Sequence, residues 1–302
     1  MPIGRNIVLP MVLTALQGPK TVAFLKRAGV LRQPTRRLFL HIFTLSAVLL
    51  GASFYLFRFL AGTDADLEPH YYYISPQNLL DIARVLKLSK NLLQGDHHQW
   101  WFRLAYLLSG VTLGCLTYIA TAFAAVASHS GEHHTLSSFL RKVKSNLLRP
   151  ALTLAAVCAV RAAFVEAMEV WLPTMTENWY VLRGVMIVVL PFFAAIQAVG
   201  AVAVVASVAE PGLCGKGAVA RACRLLLGKY TQAFHSMVAS AMLDRPFWLL
   251  YTLVAMAGLP ASGTVKCLLR IAEEMIAVAR VTVYYFECRK REEHEGKAGH
   301  RD

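Results

Sequence analysis

Nine charged residues stand inside stretches that are otherwise apolar: Arg161, Glu166, Glu169, Asp244, Arg245, Arg270, Glu273, Glu274 and Arg280. On insertion scales a charge near the centre of a bilayer costs about 3 kcal/mol, so each of these needs a partner or water. Arg270 precedes Glu273 and Glu274 by three and four residues, a spacing that puts base and acids on one helical face. Lys266 and Arg280 fall on the same side. Glu166 and Glu169 share a face, while Arg161 lies about 140° around the helix from Glu166. With Lys266 counted, bases and acids balance, and the balance predicts pairing between helices. Ion pairs that fix helix register are the leading expectation. A polar path for protons or ions, or a contact between subunits, is the alternative.

Asp244-Arg245-Pro246 falls near the middle of one apolar stretch. Proline breaks the backbone ladder, and freed backbone groups at membrane depth can coordinate an ion or a solute. A simple proline kink is the plainer reading, since no matching break occurs in the first half of the chain. His129, Glu132, His133 and His134 form a metal-like cluster without H-E-x-x-H spacing, and a solvated loop is expected there. The six cysteines contain no C-x-x-C pair, which argues against a zinc or thioredoxin-type site. Cys214, Cys223 and Cys288 sit near expected span ends and are candidates for palmitoylation. Walker A, G-x-S-x-G and kinase signatures are absent, as are N-x-S/T sequons. The sequence therefore predicts no catalytic residues, cofactor or metal, and no enzyme.

The elements that must carry these residues follow from composition. Hydrophobic residues make up 56% of the 302, charged residues only 16%, and the formal net charge is +13. Mean hydropathy is +0.48. Such a chain is neither disordered nor a typical soluble enzyme, and its basic residues lie between apolar runs rather than on one nucleic-acid-binding patch. A bilayer core needs about 20 mostly apolar residues per helix. Six segments qualify: 38–60, 102–128, 148–172, 180–208, 234–259 and 265–286. The expected fold is an all-α polytopic helix bundle over 38–287, preceded by a basic amphipathic segment (1–37) and followed by a charged tail (288–302).

The distribution of Lys and Arg supports that count. Seven lie in the first 37 residues, four in 129–149, four in 209–231 and five from Cys288 onward; the 61–101 loop has three, and the turns at 173–179 and 260–264 have none. Alternate sides total 20 against 3, in register with six spans and both termini cytoplasmic. The acid-free start also fits a transit peptide, but it holds little serine and runs directly into the first span.

Each cytoplasmic connection reads as an interfacial helix. Leu136, Phe139, Leu140, Val143 and Leu147 recur on one helical face, with Arg141, Lys142 and Lys144 off it and able to reach anionic headgroups. Glu210-Pro211-Gly212 marks a break, after which a basic, apolar-faced helix over 218–227 brings Arg221 and Arg224 close behind Lys216. Val8–Val30 and Pro76–Leu93 have a similar mix. Seating the bundle is the plain role of such helices; lipid sensing or partner binding is the functional one.

Two stretches carry a resemblance. The apolar run from Val202, the Glu210-Pro211 break and the helix ending in Arg224-Leu-Leu-Leu-Gly-Lys229 resemble a plant-type family of uncharacterised multi-pass membrane proteins with a Leu-Leu-x-Gly-Lys pattern. The ending Val281-Thr-Val-Tyr-Tyr-Phe-Glu-Cys288-Arg-Lys is similar to that family's close. The charged sixth span and Asp244-Arg245-Pro246 depart from it. The layout also resembles, more loosely, the membrane domains attached to some bacterial glycerophosphodiesterases, without their catalytic domain. What the resemblance implies is a membrane-embedded scaffold with no catalytic residues to carry over. The expected function is a non-enzymatic membrane-organising protein whose partners are the bilayer and its anionic headgroups; the alternative is a small-solute or ion transporter using the intramembrane charges.

Overall fold

The computed structural model describes residues 33–61, 100–132, 135–175, 179–227 and 262–298. All elements among them are helices, numbered here in chain order: α1 (Gln33–Ala61), α2 (Trp100–Ser130), α3 (Leu136–Asn146), α4 (Leu148–Met175), α5 (Trp179–Ala209), α6 (Lys216–Leu226) and α7 (Ser262–Ala298). The expected N-terminal amphipathic segment, the Pro76–Leu93 helix and the fifth span with Asp244-Arg245-Pro246 lie outside the described residues.

Three helices are long and apolar enough to cross a membrane, over Leu107–Ser130, Leu148–Met168 and Pro191–Ala209. At about 1.5 Å per residue, the 24 residues of the first exceed the roughly 30 Å of a hydrocarbon core. The other expected spans differ. In α1 the described apolar stretch is the shorter Arg37–Ser53. Segment 265–286 is helical throughout, but α7 does not qualify, because Arg270, Glu273, Glu274 and Arg280 interrupt it.

Small residues let the backbones approach. Ala122, Ala124, Ala203 and Ala206 are fully buried, and Ala201 through Ser207 of α5 are buried on every face. Ser46 of α1 accepts a hydrogen bond from Thr117 Oγ1 of α2 at 3.0 Å, and Thr121 and Thr282 turn their hydroxyls back onto the carbonyls of Thr117 and Val278. Among the described residues, the long helices carry large apolar side chains on their exposed faces. Leu40, Val48, Leu108, Leu152, Val160, Val170 and Phe192 are each more than half exposed. A water-facing surface would not gather large side chains at such density.

Short helices fill the connections. Thr135 caps α3, its Oγ1 accepting from the Ser138 amide. Phe139 is buried, Val143 and Leu147 pack beside it, and Leu136 and Leu140 of the same apolar face stay exposed. The chain leaves α5 at Glu210 and turns through Gly212 (φ 101°) and Gly215 (φ 51°), left-handed conformations that favour glycine. It then enters α6, which buries Ala218, Ala222, Leu225 and Leu226. Helix α6 begins at Lys216, two residues before the expected start.

Three contacts place these connections at one end of the bundle. The Gly215 amide donates to Thr153 Oγ1 near the start of α4 at 2.9 Å. Tyr285 of α7 reaches Glu210 at the end of α5. His129 at the end of α2 stacks on Phe286 with ring centroids 4.0 Å apart. The end of α2, the start of α4, the end of α5 and the later part of α7 therefore share one end with α3 and α6.

Candidate functional site

Helix α4 meets α5 at Gly200, and this close approach buries Arg161. Its guanidinium is 1% exposed, and Nη2 donates to the Gln197 carbonyl at 3.4 Å. A Cβ on Gly200 would stand 2.5 Å from Val157 Cγ1 and 3.0 Å from Arg161 Nη2, so the arginine occupies space that only glycine leaves. Arg161 also interacts electrostatically with Tyr118 of α2 and with Cys158. Glu274 of α7, 4% exposed, acts on Cys158 and on Cys115 of α2. Arg161 of α4 and Glu274 of α7 are thus both buried within the bundle, Arg161 against the α5 backbone.

The two acids expected to share Arg270 separate. Arg270 Nη1 lies 3.6 Å from Glu273 Oε2, with both side chains half-buried, whereas Glu274 turns inward. One helical step of about 100° divides a lateral pair from a core residue. Glu166 and Arg280 are half-buried, and Glu169 lies on α4. Asp244 and Arg245 lie outside the described residues.

A second constellation stands at the end where α3 and α6 gather. Arg141, Lys144, Lys216 and Arg224 are exposed there. Lys142 pairs with Glu132 at 2.5 Å in an exposed contact. Arg221, expected among the headgroup contacts, is instead committed within the protein. Its Nη1 and Nη2 each lie 2.7 Å from the two Glu292 oxygens, and its Nε donates to Glu210 Oε1 at 3.3 Å. The same Glu210 oxygen accepts from the buried Tyr285 hydroxyl at 2.5 Å. Hydrogen bonding to Glu292 first, and then the charge of Glu210, hold the Arg221 guanidinium above its ordinary range against partial burial. Planar two-point pairing of this kind is what a guanidinium does and an ammonium cannot. The clamp fastens α6 and the end of α5 to the part of α7 that continues past Phe286.

Among the described residues no group of three His, Cys, Asp or Glu could hold a metal. His129 stacks on Phe286 and Glu132 pairs with Lys142; His133 and His134 lie outside the described residues. Cys214 and Cys223 are exposed, whereas Cys288 is buried and closed to acylation in this arrangement. Nothing in the sequence marks Gln197, Glu210, Tyr285 and Glu292 as partners. A glycine in the middle of a strongly apolar helix was the one available signal of close approach. The Glu210–Tyr285 and Arg221–Glu292 pairs are 75 and 71 residues apart, and no local spacing announces them.

No family model matches the chain, and no curated protein or solved structure shows significant similarity to it. The likeness to plant-type multi-pass proteins rests on the two sequence stretches alone.

Proposed function

We propose that this is a six-span integral membrane protein with both termini cytoplasmic, acting as a non-enzymatic scaffold that presents basic amphipathic helices to anionic lipid. The observation that carries the reading is the collection of α3 and α6 at one end of an apolar-surfaced bundle, with Arg141, Lys144, Lys216 and Arg224 exposed. Basic residues close to an anionic surface each contribute about 1 kcal/mol and lose it within a Debye length. Leu136 and Leu140, exposed beside them, supply apolar anchorage. In this topology Arg36 and Arg37 at the start of α1 lie on the same side.

The test is lipid enrichment around the full chain reconstituted in mixed vesicles, read by energy transfer from tryptophan to labelled lipids. Anionic lipid is expected to be enriched in a salt-sensitive way, and the triple variant R141Q/K142Q/K144Q to lose most of that enrichment. Equal enrichment of neutral lipid by both proteins overturns the reading.

Burial of both Arg161 and Glu274 within the bundle favours a second reading, a small-solute or ion transporter. Ion flux into vesicles that E274Q abolishes and R141Q leaves intact would establish it in place of the scaffold.

A further inference from the structure

The polar side of α3 carries a shallow groove between its side chains. Ser137, Ser138, Arg141, Lys142 and Ser145 line a shallow, open concavity of 380 Å³. These five residues fall opposite the Phe139, Val143 and Leu147 stripe, with Ser145 near the middle, so the groove faces away from the bundle. It offers a guanidinium, an ammonium and three hydroxyls within three helical turns.

We infer that this groove binds the phosphorylated headgroup of an inositol-type lipid in the leaflet on which α3 lies. The inference rests on the reading of α3 as a lipid-facing helix and adds a preference to it. A phosphomonoester carries about −1.5 to −2 charges and three acceptor oxygens, more than a phosphodiester presents to a guanidinium and hydroxyls. An inositol ring raises those groups above the diester plane, toward a side of α3 that points away from its apolar face.

Two local arrangements fit an anion exchanging with internal partners. Ser138 and Ser145 now donate to the carbonyls of Thr135 and Lys142, at 2.9 and 3.0 Å. Rotating these exposed hydroxyls onto a phosphate exchanges one acceptor for a stronger one. Glu132 already places a carboxylate on Lys142. That carboxylate competes with an incoming anion for the same ammonium, so removing its charge must tighten binding.

The purified full chain in neutral detergent would be titrated with short-chain phosphatidylinositol bisphosphate, short-chain phosphatidylserine and soluble inositol trisphosphate. The bisphosphate lipid is expected to bind at least about tenfold more tightly than phosphatidylserine, and the soluble headgroup to compete with it at a higher concentration. R141Q should weaken binding about fivefold, E132Q should strengthen it, and K290Q, a basic residue of α7 that does not line the concavity, should leave it unchanged. A gain in E132Q cannot come from misfolding. If phosphatidylserine binds as tightly as the bisphosphate lipid, or R141Q behaves as K290Q does, the groove inference fails while diffuse attraction of anionic lipid stands. Tighter binding of soluble inositol trisphosphate than of the lipid overturns the lipid assignment, and failure of all anionic lipids overturns both readings.

Discussion

Gly200 decides how closely α4 approaches α5, because any side chain there collides with Val157 and Arg161. Gly200→Ala should cost about 1–3 kcal/mol, the range for overpacking a filled interior. The expected readout is a lower Tm of the solubilised protein. Val157→Ala in the same chain should restore part of the loss, since it removes the Cγ1 that lies 2.5 Å from the new methyl; absence of any rescue would place the strain elsewhere. Arg161→Ala leaves the Gln197 carbonyl without its donor and opens space beside Gly200, and is expected to cost about 1–3 kcal/mol. These two effects belong to single side chains and should appear without loss of helix content by circular dichroism.

Helices α6 and α7 depend on each other through the Arg221 clamp. Arg221→Gln removes the paired hydrogen bonds to Glu292 and the contact to Glu210, and should loosen α7 beyond Phe286 without melting the bundle. Limited trypsin digestion at Arg289, Lys290 and Arg291 should then accelerate severalfold. Arg221→Lys should resemble Arg221→Gln more than the parent, since one ammonium cannot span both Glu292 oxygens. Unchanged cleavage in Arg221→Gln would show that Tyr285 and the apolar contacts of α6 hold the element alone. Within α3 the division of labour is by face: Phe139 anchors, Leu136 and Leu140 face outward, and the basic residues stay exposed.

For the whole molecule the central prediction is topology. Single cysteines introduced at positions 142 and 216 of a cysteine-free chain should react from one side of sealed vesicles only, and a cysteine at 90 or 177 from the other. Positions 273 and 274 should stay silent to a small aqueous reagent if the bundle is a scaffold. Reaction at 274 would mean that water reaches the interior, and the transporter reading would lead. The prediction joins an apolar outer surface, basic residues gathered at one end and charges held inside into one arrangement.

The sequence alone carries the helical class, the apolar character of three of the long helices and the approximate positions of α3 and α6. These follow from local composition, from period-3.6 patterning and from breaks such as Glu210-Pro211-Gly212, none of which needs a distant partner. It also marked Arg161 as an interior charge. The packing of the helices sets Arg161 on the Gln197 carbonyl beside Gly200, turns Glu274 inward while Glu273 pairs with Arg270, and commits Arg221 to Glu292 and Glu210. A single sequence records which groups require partners. Which partner each receives depends on how helices far apart in the chain rotate and approach, and that is set by side-chain volume at contacts such as Gly200.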